Sequence, residues 1–439
     1  MKAVRSQRMR MGGSFVDRLP SHLLVALIFT IPITTAGSNI LAALLLVAWL
    51  ARRRFRADWQ ELRGNPVALA ALGFFGLHVV GLLWSADLAQ GLAATQKEWK
   101  FLLLPVFLFS ARTGHAGRYV GALLLSMAVC VAASFCIRFG VLEPWGRATI
   151  DNPVPFGTHV VYGPLLAFAI YLAAERLLFG RLPPVAKAAL AVLLVAMAMN
   201  LFMTAGRAGH VMFFGALAIL CWQFVSRRRD AGSAREATRI VAHLAAAGAA
   251  VGLAGAALLV AFLTSDAFRT GVTDAVADLR SFDADPASPV GERVAYAAAG
   301  MDVFLEHPLV GVGTGDLPRQ IDEALTSRGL DVRRRSNPHG MYVMAMVQFG
   351  ILGLAALGWL FVAQLRVAWR RGHSSALMRA RIGVAMPLLF ALICFAESYL
   401  AVHATALLFA AFSGFLYKQG DGSAVGDSAC GQPAQAAST

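Results

Sequence analysis

The chain has 439 residues, 58% of them hydrophobic and only 15% charged, whereas soluble domains run near half apolar and about a quarter charged. The formal net charge of +14 would suit a nucleic-acid partner, but the basic residues sit in short clusters between apolar runs, the pattern that orients a membrane protein. A soluble multidomain chain and a nucleic-acid binder are therefore excluded in favour of one integral membrane unit. Five cysteines (Cys130, Cys136, Cys221, Cys394 and Cys430) show neither metal-type spacing nor a disulfide framework.

In chain order, the apolar runs predict an all-α protein of about twelve transmembrane helices, near residues 21–35, 38–51, 66–84, 99–111, 117–139, 157–179, 185–203, 206–225, 237–264, 338–364, 380–395 and 397–417. The first run lacks a small-residue cleavage site and is expected to stay as an anchor. Several runs fall short of the ~20 residues a perpendicular helix needs, which points to broken or tilted helices or to ends lying further out. Residues 1–264 thus hold helices one to nine, and residues 265–337 a loop domain. Residues 338–418 hold helices ten to twelve, and residues 419–439 (QGDGSAVGDSACGQPAQAAST) a polar, disordered tail.

Charge tests this topology. With both termini cytoplasmic, 26 of the 39 Lys and Arg but only 8 of the 25 acids face the cytoplasm, as the positive-inside rule requires. The long segment up to residue 340 then faces outward with 12 of the acids. Apolar spacing predicts helices over 272–282 and 292–306 and an amphipathic one over 316–328, separated by the turn-rich HPLVGVGTG at 307–315. These form a small helical cap over the membrane domain.

Three features at the outer surface could carry chemistry. In SNPHGMYVMAMVQFGILG (336–353), Ser336 or Asn337 can cap a helix with Pro338 at its first position, which places His339 in the first turn. The helix dipole disfavours imidazolium there, so a neutral His339 could act as a general base. An interfacial histidine that caps or packs is the competing reading. Gly350 and Gly353 read as helix-packing positions. In TAGRAG (204–209), Arg207 falls in the first turn of span eight, where it either snorkels to the interface or completes an anion site with free backbone N–H groups. In SPVGERVAY (288–296), Pro289 and Gly291 precede a helix start with Glu292 and Arg293. That pair is either a local surface ion pair or a source of a second guanidinium for the same anion.

Further candidates are weaker. Lys97 and Lys100, three apart in QKEWKF on one face of a helix start, could hold phosphate or lipid head groups, or anchor at the interface. Arg147 and Asp151 share the outer loop EPWGRATIDNP and could contact sugar. Glu397 opens the last span, a functional position or the partner of a loop arginine. His78, His159 and His403 read as structural. GVGTG neither follows a strand nor carries the P-loop lysine, so no nucleotide site is expected. Asp283 and Asp285 could hold a divalent cation, but they read better as an acidic turn before a proline, and no metal site is predicted.

On these residues the chain resembles the O-antigen ligase family, within the O-antigen ligase/polymerase superfamily. The likeness rests on twelve spans, a large outer loop after span nine, the T-x-G-R-x-G turn, the segment from Arg293 through HPLVGVG to Gly313, and His339 followed at the family's spacing by Gly350 and Gly353. Gly340 departs from the family's Asn, Ser or Gln after the histidine. The resemblance implies a multi-pass, GT-C-like glycosyltransferase of the bacterial inner membrane with a periplasmic site. It would move polysaccharide from undecaprenyl diphosphate to a sugar hydroxyl of lipid A–core oligosaccharide. It further implies that His339, Arg207 and Arg293 are catalytic and that neither metal nor cofactor is needed. Lys97, Lys100, Arg147 and Glu397 are candidate contacts to diphosphate or glycan from their own residue types and placement. An O-antigen polymerase, a protein O-oligosaccharyltransferase and a twelve-span secondary transporter are the competing functions.

Overall fold

The computed structural model describes residues 15–229, 258–334, 337–371 and 377–419, with the single positions 248, 252, 255 and 256. Span nine, apart from its last turns, lies outside the described residues, as does the tail beyond Gln419. Among the described residues every regular element is helical: α1 (Phe15–Thr30), α2 (Thr35–Ala51), α3 (Phe55–Arg63), α4 (Pro66–Val80), α5 (Leu88–Lys97), α6 (Lys100–Ser110), α7 (Ala116–Arg138), α8 (His159–Phe179), α9 (Pro184–Met203), α10 (Arg207–Arg229), α11 (Asp266–Arg280), α12 (Pro289–Glu306), α13 (Leu317–Ser327), α14 (Met341–Arg371), α15 (Leu377–Ile393) and α16 (His403–Leu416).

Six of these stretches are long and apolar enough to cross a membrane, or seven if α2 and α3, bent by 110° against each other, count as one span. The chain is thus a multi-pass helical membrane protein. The shorter apolar runs behave differently. α6 has 11 residues, a rise of only about 16 Å, and α16 has 14. Both lie inside the bundle instead of facing lipid: all of α6 except Leu102, and all of α16 from Thr405 onward, is buried. A helix shielded by other helices need not match the hydrocarbon thickness that a lipid-facing one must span.

Local chemistry sets the helix starts. Asn65 accepts the Val67 and Ala68 N–H groups ahead of Pro66, and Ser288 accepts Gly291 N–H ahead of Pro289, each the expected cap-then-proline arrangement. Between helices, where the hydrophobic effect offers little in lipid, close backbone approach does the packing. A Cβ on Gly414 would come 2.7 Å from Phe107 Cβ, and one on Gly209 would come 2.7 Å from the Gly163 backbone. Those two glycines join α6 to α16 and α8 to α10.

The loop segment folds into α11, α12 and α13, close to the predicted helices. Its HPLVGVGTG connector docks on α14, where Gly350 takes φ 61° and ψ −142° and interrupts the helix. Pro308 O accepts from Ile351 N–H at 2.8 Å, while Val312 and Gly313 N–H donate to Val347 O and Gln348 O at 3.0 and 2.9 Å. Gly350 and Gly353 therefore serve this break, which corrects their reading as helix-packing positions. The Gly350 conformation strains any side chain, and a Cβ on Gly353 would collide with Ala345 O.

At the end where α2, α8 and α16 finish, cations meet acids: Arg52–Asp58 at 3.2 Å, Arg381–Glu175 at 2.6 Å and Lys418–Glu61 at 2.9 Å. The opposite end carries the starts of α8, α10, α14 and α16.

Candidate active site

The first turn of α14 does not contain His339. The helix begins at Met341, and His339 precedes it with φ 53°, in the left-handed region. That conformation costs a non-glycine residue roughly 1–3 kcal/mol, so the surroundings must hold it. Asn337, expected to cap the helix, instead accepts His339 N–H at 3.2 Å. The same amide donates to Glu397 Oε1 at 3.1 Å and accepts from Ser398 Oγ at 2.8 Å. Met341 N–H bonds Cys394 O at 2.9 Å. The dipole argument for a neutral His339 gives way to this network. Ser336 lies outside the described residues.

Glu397 does not open the last helix. It sits in the non-helical stretch 394–402 between α15 and α16. Its Oε2 lies 2.8 Å from His339 Nδ1. Burial alone would raise this carboxyl. The hydrogen bond and charge of His339, the Ser398 N–H and Arg293 outweigh burial and hold it below its ordinary value. An ionised carboxylate only accepts, so Nδ1 carries a proton, and whenever the ring is neutral its lone pair lies on Nε2. Among the described residues Nε2 has no hydrogen-bond partner. The Tyr296 ring stands edge-on to the imidazole at 6.1 Å, and its hydroxyl donates to Arg333 O at 3.0 Å. Tyr296, Asn337 and Ser398 are site residues that sequence reading did not assign.

Arg293 projects from the first turns of α12 toward this network. Its Nε donates to Ala396 O at 3.3 Å and its Nη1 to Pro289 O. Among the described residues no ion pair of Arg293 is seen, and backbone carbonyls hold its guanidinium instead. Its charge reaches Glu397, Tyr399 and His159, and Arg147 also acts on His159. Arg207 is the first residue of α10, as expected. Gly206 before it packs so tightly that a Cβ would lie 2.9 Å from His159 O. The TAGRAG backbone therefore abuts the start of α8, and the charges of Arg293 and Arg147 both act on His159 there. His159, read as structural, stands at this junction. Among the described residues Arg147, Arg207 and Arg293 form no ion pair, in contrast to the cations of the far end.

The remaining candidates lie elsewhere. Lys97 ends α5 and Lys100 begins α6, so they share no helix face. They line a separate cavity. Asp151 pairs with Arg138 at 3.2 Å, not with Arg147. Asp283 and Asp285 are exposed, and Asp285 accepts Ala287 N–H in a turn. Among the described residues no three His, Cys, Asp or Glu side chains group as metal ligands.

The model of the O-antigen ligase family matches residues 192–358. The chain is similar to that family's domain over this stretch. The stretch contains Arg207, Arg293, His339, Gly350 and Gly353, and the match supports activity of the ligase or polymerase type. Glu397, Arg147 and both lysines fall outside the matched stretch but are folded against it or near it. No curated protein matches the chain.

Proposed function

We propose that this protein is an inner-membrane O-antigen ligase that transfers polysaccharide from undecaprenyl diphosphate to a sugar hydroxyl of lipid A–core oligosaccharide. In this reading the membrane domain has twelve spans of the GT-C kind, both termini are cytoplasmic, and the site faces the periplasm. The carrying observation is the His339 imidazole, backed by Glu397 on Nδ1, unpartnered at Nε2 among the described residues, and beside Arg293 within the stretch similar to the ligase family.

The chemistry divides between these groups. The acceptor hydroxyl gives its proton to His339 Nε2 as its oxygen bonds the anomeric carbon. Glu397 holds the ring's orientation and balances the imidazolium that forms. The bond from the anomeric carbon to phosphate breaks with its electron pair leaving on the diphosphate, and the anomeric centre inverts. Arg293, with Arg147 and Arg207 around the start of α8, offers positive charge to that leaving group, a task preorganised cations perform at low reorganisation cost. No metal or cofactor takes part in this scheme.

The test is reconstitution. Purified protein, lipid-linked glycan and rough lipopolysaccharide should give a ladder of modified lipopolysaccharide. Extension of glycan on lipid carrier without lipopolysaccharide would assign a polymerase instead. A full ladder from His339→Ala would overturn the role of the histidine.

A further inference from the structure

A cavity of about 690 Å³ that His339 does not line is bordered by Lys97, Trp99, Lys100, Ala401 and His403. Lys100 is only 3% exposed, yet it forms no ion pair among the described residues. Its Nζ donates to Lys97 O and to Ala401 O, the latter at 3.4 Å. An ammonium has three donors, so one remains. Lys97 is exposed at the rim. The nearest acid, Glu98, is buried, and burial pushes its carboxyl up to about 7 against the pull of Lys100 and Lys97. A nearly buried cation held by carbonyls and facing a cavity is costly unless an anion completes it.

The helices that carry the two lysines also expose aliphatic side chains. Leu88 and Leu92 on α5 and Leu102 on α6 are 56%, 60% and 42% exposed. Ser38 Oγ lies 3.2 Å from His403 Nε2, which brings in α2 with Ile40 and Leu44 exposed at 61% and 49%. Cations beside lipid-facing aliphatic side chains, with Trp99 at the same level, match the level of phospholipid headgroups.

We infer that this cavity binds a phosphate carried on a membrane lipid headgroup, gripped by Lys97 and Lys100, with the acyl chains along the exposed leucines of α5 and α6. The inference does not depend on the transfer reaction, and its test reads binding alone. Purified full-length protein in detergent is titrated with dioctanoyl phosphatidic acid, with dioctanoylglycerol and with inorganic phosphate, and binding is followed by thermophoresis. The phosphatidic acid should bind saturably and the other two should not. Lys97→Ala, a rim substitution, should weaken it about tenfold, the loss expected for one charged hydrogen bond, and Lys97→Glu should weaken it further. Equal binding by dioctanoylglycerol, inorganic phosphate binding as tightly as the lipid, or unchanged affinity in both Lys97 variants would each overturn the proposal.

Discussion

His339 and His78 are alike at the level of single atoms. Each places Nδ1 on an oxygen, and each leaves Nε2 buried and, among the described residues, unpartnered. Their settings differ. His78 lies inside α4 with its Nδ1 on Phe74 O, its ring enclosed edge-on by Phe74 and Phe349 at 5.0 and 4.8 Å, and only 1% of the residue exposed. The His339 side chain is 15% exposed, and a carboxylate stands behind it. A backbone carbonyl can orient an imidazole but adds no full charge to balance a proton arriving on the other nitrogen. A carboxylate does both. An orphaned ring nitrogen marks a base only where charge compensation and a guanidinium accompany it.

That comparison can be broken by substitution. His339→Ala should lower the initial transfer rate on the order of 10³-fold, within the range a general base supplies, read from ladder formation by purified protein. Arg293→Ala should cost roughly 10²–10³-fold, the loss typical of one preorganised charge contact, with insertion and thermal stability retained. Glu397→Gln keeps the shape but removes the charge, and a loss of roughly 10²-fold is expected. If it transfers like the parent, His339 is no more compensated than His78. His78→Phe should leave the rate within about twofold and alter only the melting temperature, since its neighbours are rings and a carbonyl. The smallest expected effect is that of a chelator: transfer with EDTA should equal transfer without it, and restoration by Mg²⁺ would redirect attention to Asp283 and Asp285.

Much of this was legible from residue patterns. Spans near 66–84 and 157–179 follow from length and hydropathy, and the cap-then-proline signals at Asn65–Pro66 and Ser288–Pro289 mark real helix starts. Arg207 and Arg293 stand where their motifs place them. What stayed hidden depends on contacts distant in sequence. Nothing local announces that His339 leaves the helix, because its φ is set by a network reaching 58 residues onward to Glu397. Asn337 carries the right chemistry for a cap, and tertiary contacts redirect it. The break at Gly350 lies in an unbroken apolar run, and it exists because carbonyls of 308–309 receive the N–H groups the helix gives up. Lys97 and Lys100 have helical spacing, but the two intervening residues turn the chain between helices.

The stitching of residues 308–313 into α14 fixes a distance. Arg293 belongs to the helix immediately before those residues, and His339 immediately precedes the helix they join. The backbone bonds on either side of Gly350 lock the two helices in register, so neither can slide along the other without parting main-chain pairs. The gap between guanidinium and imidazole is thereby made a property of the scaffold. A force on the surrounding helices would have to part those main-chain pairs before it changed that spacing.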